Sequence, residues 1–292
     1  METLTNLVIH GLLYGGMCAI LAVGFALIFG VAKIVNMAHT AFYMVASFII
    51  FIGVSRVGLP VWLASLVSIL LTCLLSVICY KLFFERVKHH ETAVMIISVA
   101  LAMLFQEIFL LIFGGHYHGI PALVKGFMDL GVVRISYKNL FALGFSLITL
   151  LGLWLLLSKT RLGIAIRSVA QDREVANLVG ININHIYMIT MGISAGLAAV
   201  AGAIVAPIFM VHPLMWMQPL VMVLAAVVLG GLGSIKGAVI AALILGFAES
   251  LVIFLIPDGS FLRGAVSLAV MVVVLVIRPE GLYGVVFEEE RL

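Results

Sequence analysis

Four residues carry polar chemistry inside otherwise apolar stretches: Asn36, His39, Glu107 and Glu249. A carboxylate in lipid is expensive, so an acid there normally faces a bundle interior or a watery path. Glu107 and Glu249 therefore either line a solute or proton pathway or hydrogen-bond a neighbouring helix. Gln106 and Ser250 are local partners for the second role. Asn36 and His39 fall between two apolar runs. There they satisfy backbone freed by a helix break, or they line a pore. Tyr14, set among Gly11, Gly15 and Gly16, reads as close helix packing. His116 and His118 make an H-x-H pair, too few ligands for a metal site. Cys18, Cys73 and Cys79 show no metal or redox spacing. No metal is expected.

Enzyme signatures are missing. The run Gly230-Gly231-Leu232-Gly233-Ser234-Ile235-Lys236 is glycine-rich, but its lysine follows Ile and not the Gly of a phosphate loop. There is no H-E-x-x-H and no G-x-S-x-G. The chain is expected to bind no cofactor and no ATP, and to catalyse nothing. Gly230, Gly231, Gly233 and Gly237 instead mark an interruption between helices. That interruption is either unwound backbone at membrane depth or a tight hairpin at the membrane surface.

These residues must be positioned by membrane helices. Of 292 residues, 64% are hydrophobic and 10% are charged. Soluble domains run at roughly 45–50% and about 25%. Mean hydropathy is +1.31. A net charge of +3 is too mild to imply a nucleic-acid partner. The apolar runs 7–32, 37–53, 61–80, 93–113, 140–157, 186–210, 220–234, 237–256 and 264–277 predict about eight or nine crossings, some short or broken. The fold class is an all-α polytopic membrane protein with one transmembrane domain over 1–292. The first run has no preceding Lys or Arg and reads as a retained helix rather than a cleaved signal. With the N-terminus outside and nine spans, eleven of the 16 Lys and Arg fall inside and five outside, which places the C-terminus in the cytoplasm.

Two connections are long enough to carry structure. The external loop, 114–139, holds Gly114-Gly115, Pro121, Val132-Val133 and Ile135, which suits a short hairpin or cap. The internal one, 158–185, contains a helix-sized stretch bracketed by Gly163 and Gly180. Ile166, Val169, Ala170, Ala176 and Leu178 form an apolar stripe there, against polar Arg167, Gln171, Asp172, Arg173 and Glu174. Asp172 is placed to cap a second short helix, and Gly180 to end it. The segment is either an amphipathic element that docks in a partner's groove or a solvated loop whose arginines enforce topology. The pair His89-His90 nearby reads as solvated.

Several motifs carry a family resemblance. The segments Gly11-Leu12-Leu13-Tyr14-Gly15, Gly24-Phe25-Ala26-Leu27-Ile28-Phe29-Gly30-Val31 and Asn36-Met37-Ala38-His39 resemble permeases of branched-chain amino-acid ABC importers. So do the run from Val228 to Ala238 and Arg278-Pro279-Glu280-Gly281-Leu282. The family's Asn-Ala-His-Gly is here Met37-Ala38-His39-Thr40, without the glycine. The 158–185 segment resembles the loop by which ABC-importer permeases contact their ATPases. On that resemblance Glu174, Ala176 and Gly180 take the motif's places, and with Arg167, Ala170, Gln171 and Asp172 they form the expected coupling surface, although the Ile/Leu-Pro of the wider motif is replaced by Asn182-Ile183-Asn184-His185.

The resemblance implies a multi-pass subunit of the bacterial inner membrane that moves branched-chain or other apolar amino acids by alternating access. It implies two cytoplasmic ATP-binding subunits holding ATP and Mg. It also implies a second, related permease subunit and an extracytoplasmic solute-binding protein that carries most of the selectivity. The alternatives are a urea or short-amide permease of the same superfamily, a stand-alone ion-coupled transporter, and a membrane scaffold that transports nothing.

Overall fold

The computed structural model describes residues 2–88, 90–122, 124, 126–129, 134–256 and 259–284. His89, Lys125, Val132-Val133 and Arg291 lie outside the described residues.

The chain forms α1 (Glu2–Ala32), α2 (His39–Ser55) and α3 (Val61–Cys79), the last running through a π turn, Tyr80–Phe84, into α4 (Glu85–Val87). It continues with α5 (Glu91–Phe113), α6 (Tyr137–Lys159), α7 (Arg161–Gln171), α8 (Arg173–Leu178) and α9 (Ile183–Val205). The last helices are α10 (Met217–Gly230), α11 (Ile235–Leu255) and α12 (Arg263–Ile277). Six helical stretches are long and apolar enough to cross a membrane, and α2, α10 and α12 are shorter apolar helices. Each expected span has its helix. The run expected over 186–210 stops at Val205, where the chain leaves the helix through turns.

Two helices form the centre. In α1 and α9, 72% and 67% of the apolar window is buried, against 28% for α3 and 22% for α5 and α6. The outer helices turn large side chains such as Leu70, Leu111 and Trp154 outward. That is the surface of a protein whose solvent is lipid.

Close packing of α1 depends on small residues. A Cβ on Gly246 of α11 would lie 2.5 Å from both Cα and N of Gly15 on α1. A Cβ on Gly15 would meet the Leu243 backbone at 3.0 Å. Between membrane helices, lipid-facing and protein-facing side chains are equally apolar, so association relies on such close backbone approach.

Helix α1 ends at Lys33, which takes a left-handed φ of 56° while its N–H donates to Phe29 O at 2.8 Å. Helix α2 does not start level with that end. His39, its first residue, bonds Leu21 O at 3.0 Å. Leu21 is about 16 Å back along α1 from Ala32, at 1.5 Å per residue. Residues 33–38 therefore run back along α1 as unwound chain, with Ile34, Asn36 and Ala38 buried. Their polar groups are satisfied internally, as a membrane interior requires. Met37 N–H donates to Ser98 Oγ at 3.0 Å, and Ala38 N–H donates to Asn36 Oδ1 at 3.1 Å.

The bundle has two distinct ends. One carries an antiparallel hairpin, β1 (Phe127–Asp129) with β2 (Arg134–Ser136), within the 114–139 segment. His118 and Val211 exchange backbone hydrogen bonds of 2.9 and 2.8 Å, tying that segment to the 206–216 connection. The His118 ring stacks on Phe51, with centroids 4.5 Å apart. The other end carries α7, α8, the α10–α11 turn and residues 278–284.

The α1–α11 contact gives a direct test. Gly246→Val should destabilise the chain by about 1–3 kcal/mol through overpacking. Gly144→Val is the control, since nothing lies within 4 Å of a Cβ there. Thermal unfolding in detergent should show a lowered midpoint for the first variant only.

Candidate functional site

The α7–α8 end is built by caps. Thr160 accepts from Gly163 N–H at 3.0 Å to start α7, and Asp172 Oδ1 accepts from Val175 N–H at 3.0 Å to start α8. Side-chain oxygens at these positions satisfy N–H groups that have no partner within the helix. Gly163 allows the sharp corner from α6, where a Cβ would lie 2.3 Å from Leu157 O. Gly180 ends α8 at φ 87°, while Ile181 N–H returns to Ala176 O at 3.0 Å. Ile166, Val169 and Ala176 are buried, and Arg167, Gln171, Asp172 and Glu174 are exposed. Ala170 is half-buried. With Arg167 it lines a groove of about 590 Å³ between α1, α6, α7 and α11.

Leu178 departs from the apolar stripe. It is 85% exposed, next to Val179 at 71%, and Val175 is also exposed. Helix α8 is too short to turn every apolar residue toward the bundle, so these three form an open apolar knob. Arg173 faces the other way. Its Nη2 donates to Ala32 O, at the end of α1, at 2.8 Å, and its guanidinium lies 5.7 Å from the Tyr187 ring centroid. A cation on the last carbonyls of a helix also meets the negative end of its dipole.

The glycines expected to interrupt a helix form a hairpin at this same end. Gly231 and Gly233 take φ of 96° and 86°, and Ser234 then caps α11 by accepting from Gly237 N–H at 3.1 Å. Gly230 and Gly237 are in direct backbone contact, so a Cβ on Gly237 would lie 1.9 Å from Gly230 O. Leu282 N–H and Tyr283 N–H bond Leu229 O and Gly230 O at 2.8 and 3.0 Å. Gly30 of α1 closes the knot, its Cβ position 3.2 Å from Gly233 O.

The four polar candidates are not brought together. His39 is fully buried at the centre. Its Nε2 donates to the Leu21 carbonyl, and its Nδ1 faces Ser194 Oγ at 3.0 Å. Ser194 Oγ also donates to Gly24 O at 2.8 Å, its one proton being shared between the two neighbours, so the cluster joins α1, α2 and α9. Asn36 is buried beside Met191, with Nδ2 to Sδ at 3.4 Å. Glu107 is exposed on the outer face of α5. Adjacent helical residues point about 100° apart, and Gln106 takes the inward place, accepting from Trp216 Nε1 at 2.9 Å. Gln106 also donates to Glu107 at 3.1 Å.

Glu249 is 5% exposed and lines a cavity of about 320 Å³ at the hairpin end, with Tyr14, Phe209, Met222 and Arg263. It accepts from Ser267 Oγ at 2.5 Å, and Arg263 Nη1 donates to Tyr14 Oη at 2.9 Å. The sequence reading missed Arg263, Ser267, Ser194 and the inward role of Arg173. One signal was available for Arg263: an arginine opens an apolar helix, at the wrong end of its dipole.

A helical bundle with six helices long and apolar enough to cross a membrane among the described residues, and with large apolar side chains turned outward, is a multi-pass membrane protein. Comparison with known sequences narrows this. Residues 7–275 match the family described as branched-chain amino acid transport system, permease component, and the chain belongs to that family. It is 30% identical to the high-affinity branched-chain amino acid transport system permease protein BraD of Pseudomonas aeruginosa, over 94% of each chain. It is 26% identical to the corresponding permease LivH of Escherichia coli K12, again over 94% of each.

The buried histidine cluster is testable. His39→Ala should destabilise the chain by about 1–3 kcal/mol by stranding its partners. Ser194→Ala should be less than additive with it, with a coupling of about 0.5–3 kcal/mol. A double-mutant cycle on detergent unfolding reads both.

Proposed function

We propose that the chain is one of two permease subunits of an ATP-driven importer of branched-chain or other apolar amino acids in a bacterial inner membrane. The hairpin end faces outward and the α7–α8 end faces the cytoplasm, in line with the excess of Lys and Arg at the latter. No cofactor is held by this chain; ATP and Mg belong to two cytoplasmic subunits that seat against α7 and α8. A solute-binding protein delivers the substrate to the opposite end, and a second, related permease completes the pathway.

One observation carries the reading. Val175, Leu178 and Val179 leave an apolar knob open on α8, while Arg173 of the same helix grips the end of the buried α1. An exposed short helix with apolar anchors suits a groove on a partner. A rigid tie to the central helix suits transmission of the partner's movement. On this account closure of the ATPases pushes α7 and α8 and tilts the helices attached to them, giving alternating access. Arg167, Ala170, Gln171, Asp172, Glu174, Ala176 and Gly180 shape that surface. In the same account Glu249 belongs to the pathway, and Asn36 and His39 hold the broken α1–α2 connection. The outward Glu107 sits where a second hydrophobic subunit can cover it.

Two experiments test this. A tagged chain purified in mild detergent should bring down two ATPases and a second hydrophobic subunit; a chain that emerges alone from conditions sparing known complexes counts against the reading. In proteoliposomes, Gly180→Pro and Glu174→Arg should abolish most uptake while the complex still assembles and hydrolyses ATP. Pro cannot adopt the positive φ at 180. Normal uptake in both variants would remove α8 from coupling.

A further inference from the structure

The cavity at the hairpin end is lined by an acid, Glu249, by an arginine, Arg263, and by the imidazole of His212. No ion pair within 4.0 Å joins Glu249 and Arg263 among the described residues. Each is instead held by a neutral hydroxyl, Ser267 for the acid and Tyr14 for the base. An acid within a membrane helix that faces a cavity marks a substrate path, and here an arginine lines the same cavity without pairing with it.

Among the described residues the guanidinium is also incompletely used. Nη1 goes to Tyr14 Oη, and the Arg263 side chain stacks over that ring at 4.7 Å, which fixes its orientation. Nε is buried and has no hydrogen-bond partner among the described residues. A buried donor left unmade is a penalty that native structures avoid unless something else fills the place. An arginine edge is suited to a carboxylate, which it grips with two parallel hydrogen bonds.

Much of the remaining lining is apolar and pliable, with Met17, Val205, Phe209, Met210, Met215 and Met222, while Tyr43, Tyr117, His212 and Gln218 add polar groups. Methionine adapts its shape to different apolar guests. The volume of about 320 Å³ is within the range of small-molecule sites. A ligand that matches this arrangement has a carboxylate, a cation and a compact apolar body, which is a zwitterionic apolar α-amino acid.

We propose that this cavity is a recognition site within the permease itself, where Arg263 receives the α-carboxylate, Glu249 the α-ammonium and the methionine-rich wall the side chain. The inference rests on the amino-acid reading of the cargo given above. It adds a second selection step inside the membrane subunit, after delivery by the binding protein. Tyr14 and Ser267 are positioning residues that hold the two charges apart.

The test uses the whole complex in nanodiscs, without binding protein, and saturation-transfer NMR, which reads weak ligands. Leucine is titrated against leucinol, which lacks the carboxylate, and 4-methylpentanoate, which lacks the ammonium. The intact complex should bind leucine saturably and each analogue at least about tenfold more weakly, as loss of one charge-assisted contact implies. Arg263→Gln should weaken leucine by about tenfold and erase its advantage over leucinol alone. Glu249→Gln should erase its advantage over 4-methylpentanoate alone. Arg263→Lys and Glu249→Asp should restore part of each preference.

Equal binding of all three ligands by the unaltered complex overturns the proposal, and that result needs no variant to fold. So does a uniform loss for all three ligands in both Gln variants, or an absence of saturable leucine binding in a complex that transports leucine with its binding protein. A complete system that transports no apolar amino acid at all overturns the cargo reading instead.

Discussion

The fold depends on the closeness of α1 to α11. Gly15 and Gly246 let two backbones meet with no side chain between them. Water cannot drive membrane helices together, because the lipid that is displaced is as apolar as the side chains that replace it. Dispersion across a close interface, together with the hydrogen bonds it shields, must do that work. With α11 on one side and α9 on another, α1 becomes the most buried long helix of the chain. Polar groups from four other parts of the chain are then referred to it. His39 bonds the carbonyl of Leu21, Ser194 the carbonyl of Gly24, Arg173 the carbonyl of Ala32, and Arg263 the phenol of Tyr14.

The same logic explains why three motifs far apart in the chain carry the family likeness. Gly30, the glycines from 230 to 237 and the segment 278–284 meet in one knot at the α7–α8 end. The knot is made of backbone contacts, so it tolerates no side chain at Gly230, Gly237 or Gly281. Val228 O lies 2.8 Å, and Gly231 N 2.7 Å, from the Cβ that Gly281 lacks. The likeness in these segments therefore reports a steric constraint on how α1, α10, α11 and the chain after α12 close together.

Much of this was legible in the sequence. Length and apolarity located the helices, and Asp172 and Gly180 announced the start and stop of α8 because caps depend on a single residue's chemistry. The limits have a physical origin too. A soluble helix shows its inner face by amphipathic spacing, but α5 is apolar all round, so nothing along it said that Gln106 would face in and Glu107 out. Likewise the 158–185 stripe was readable for Ile166, Val169 and Ala176, and failed at Leu178, whose exposure follows from the direction in which α8 is held by Arg173. The cavity was the least legible feature. It joins Tyr14 to Arg263 across the length of the chain, and only the packing of α1 against α11, and of α11 against α12, makes them neighbours.

Helix α1 also joins the two candidate regions. Tyr14 touches Arg263 at the cavity, and the Ala32 carbonyl accepts from Arg173 at α8. These points are about 27 Å apart along the helix, at 1.5 Å per residue, and no proline interrupts the stretch between them. A packed helix of this kind moves as a body, because its contacts are bistable rather than continuously deformable. Displacing α8 thus shifts either α1 or the Arg173 contact that binds them. If α1 shifts, Tyr14 moves with it, and Arg263 must either follow or lose the hydroxyl that orients it. The unwound segment 33–38 is where α1 can move relative to α2, since its hydrogen bonds run to side chains of Asn36 and Ser98 rather than through a continuous helix. The break between the first two helices, the buried histidine beside it, the Arg173 contact and the charged cavity thus all bear on α1.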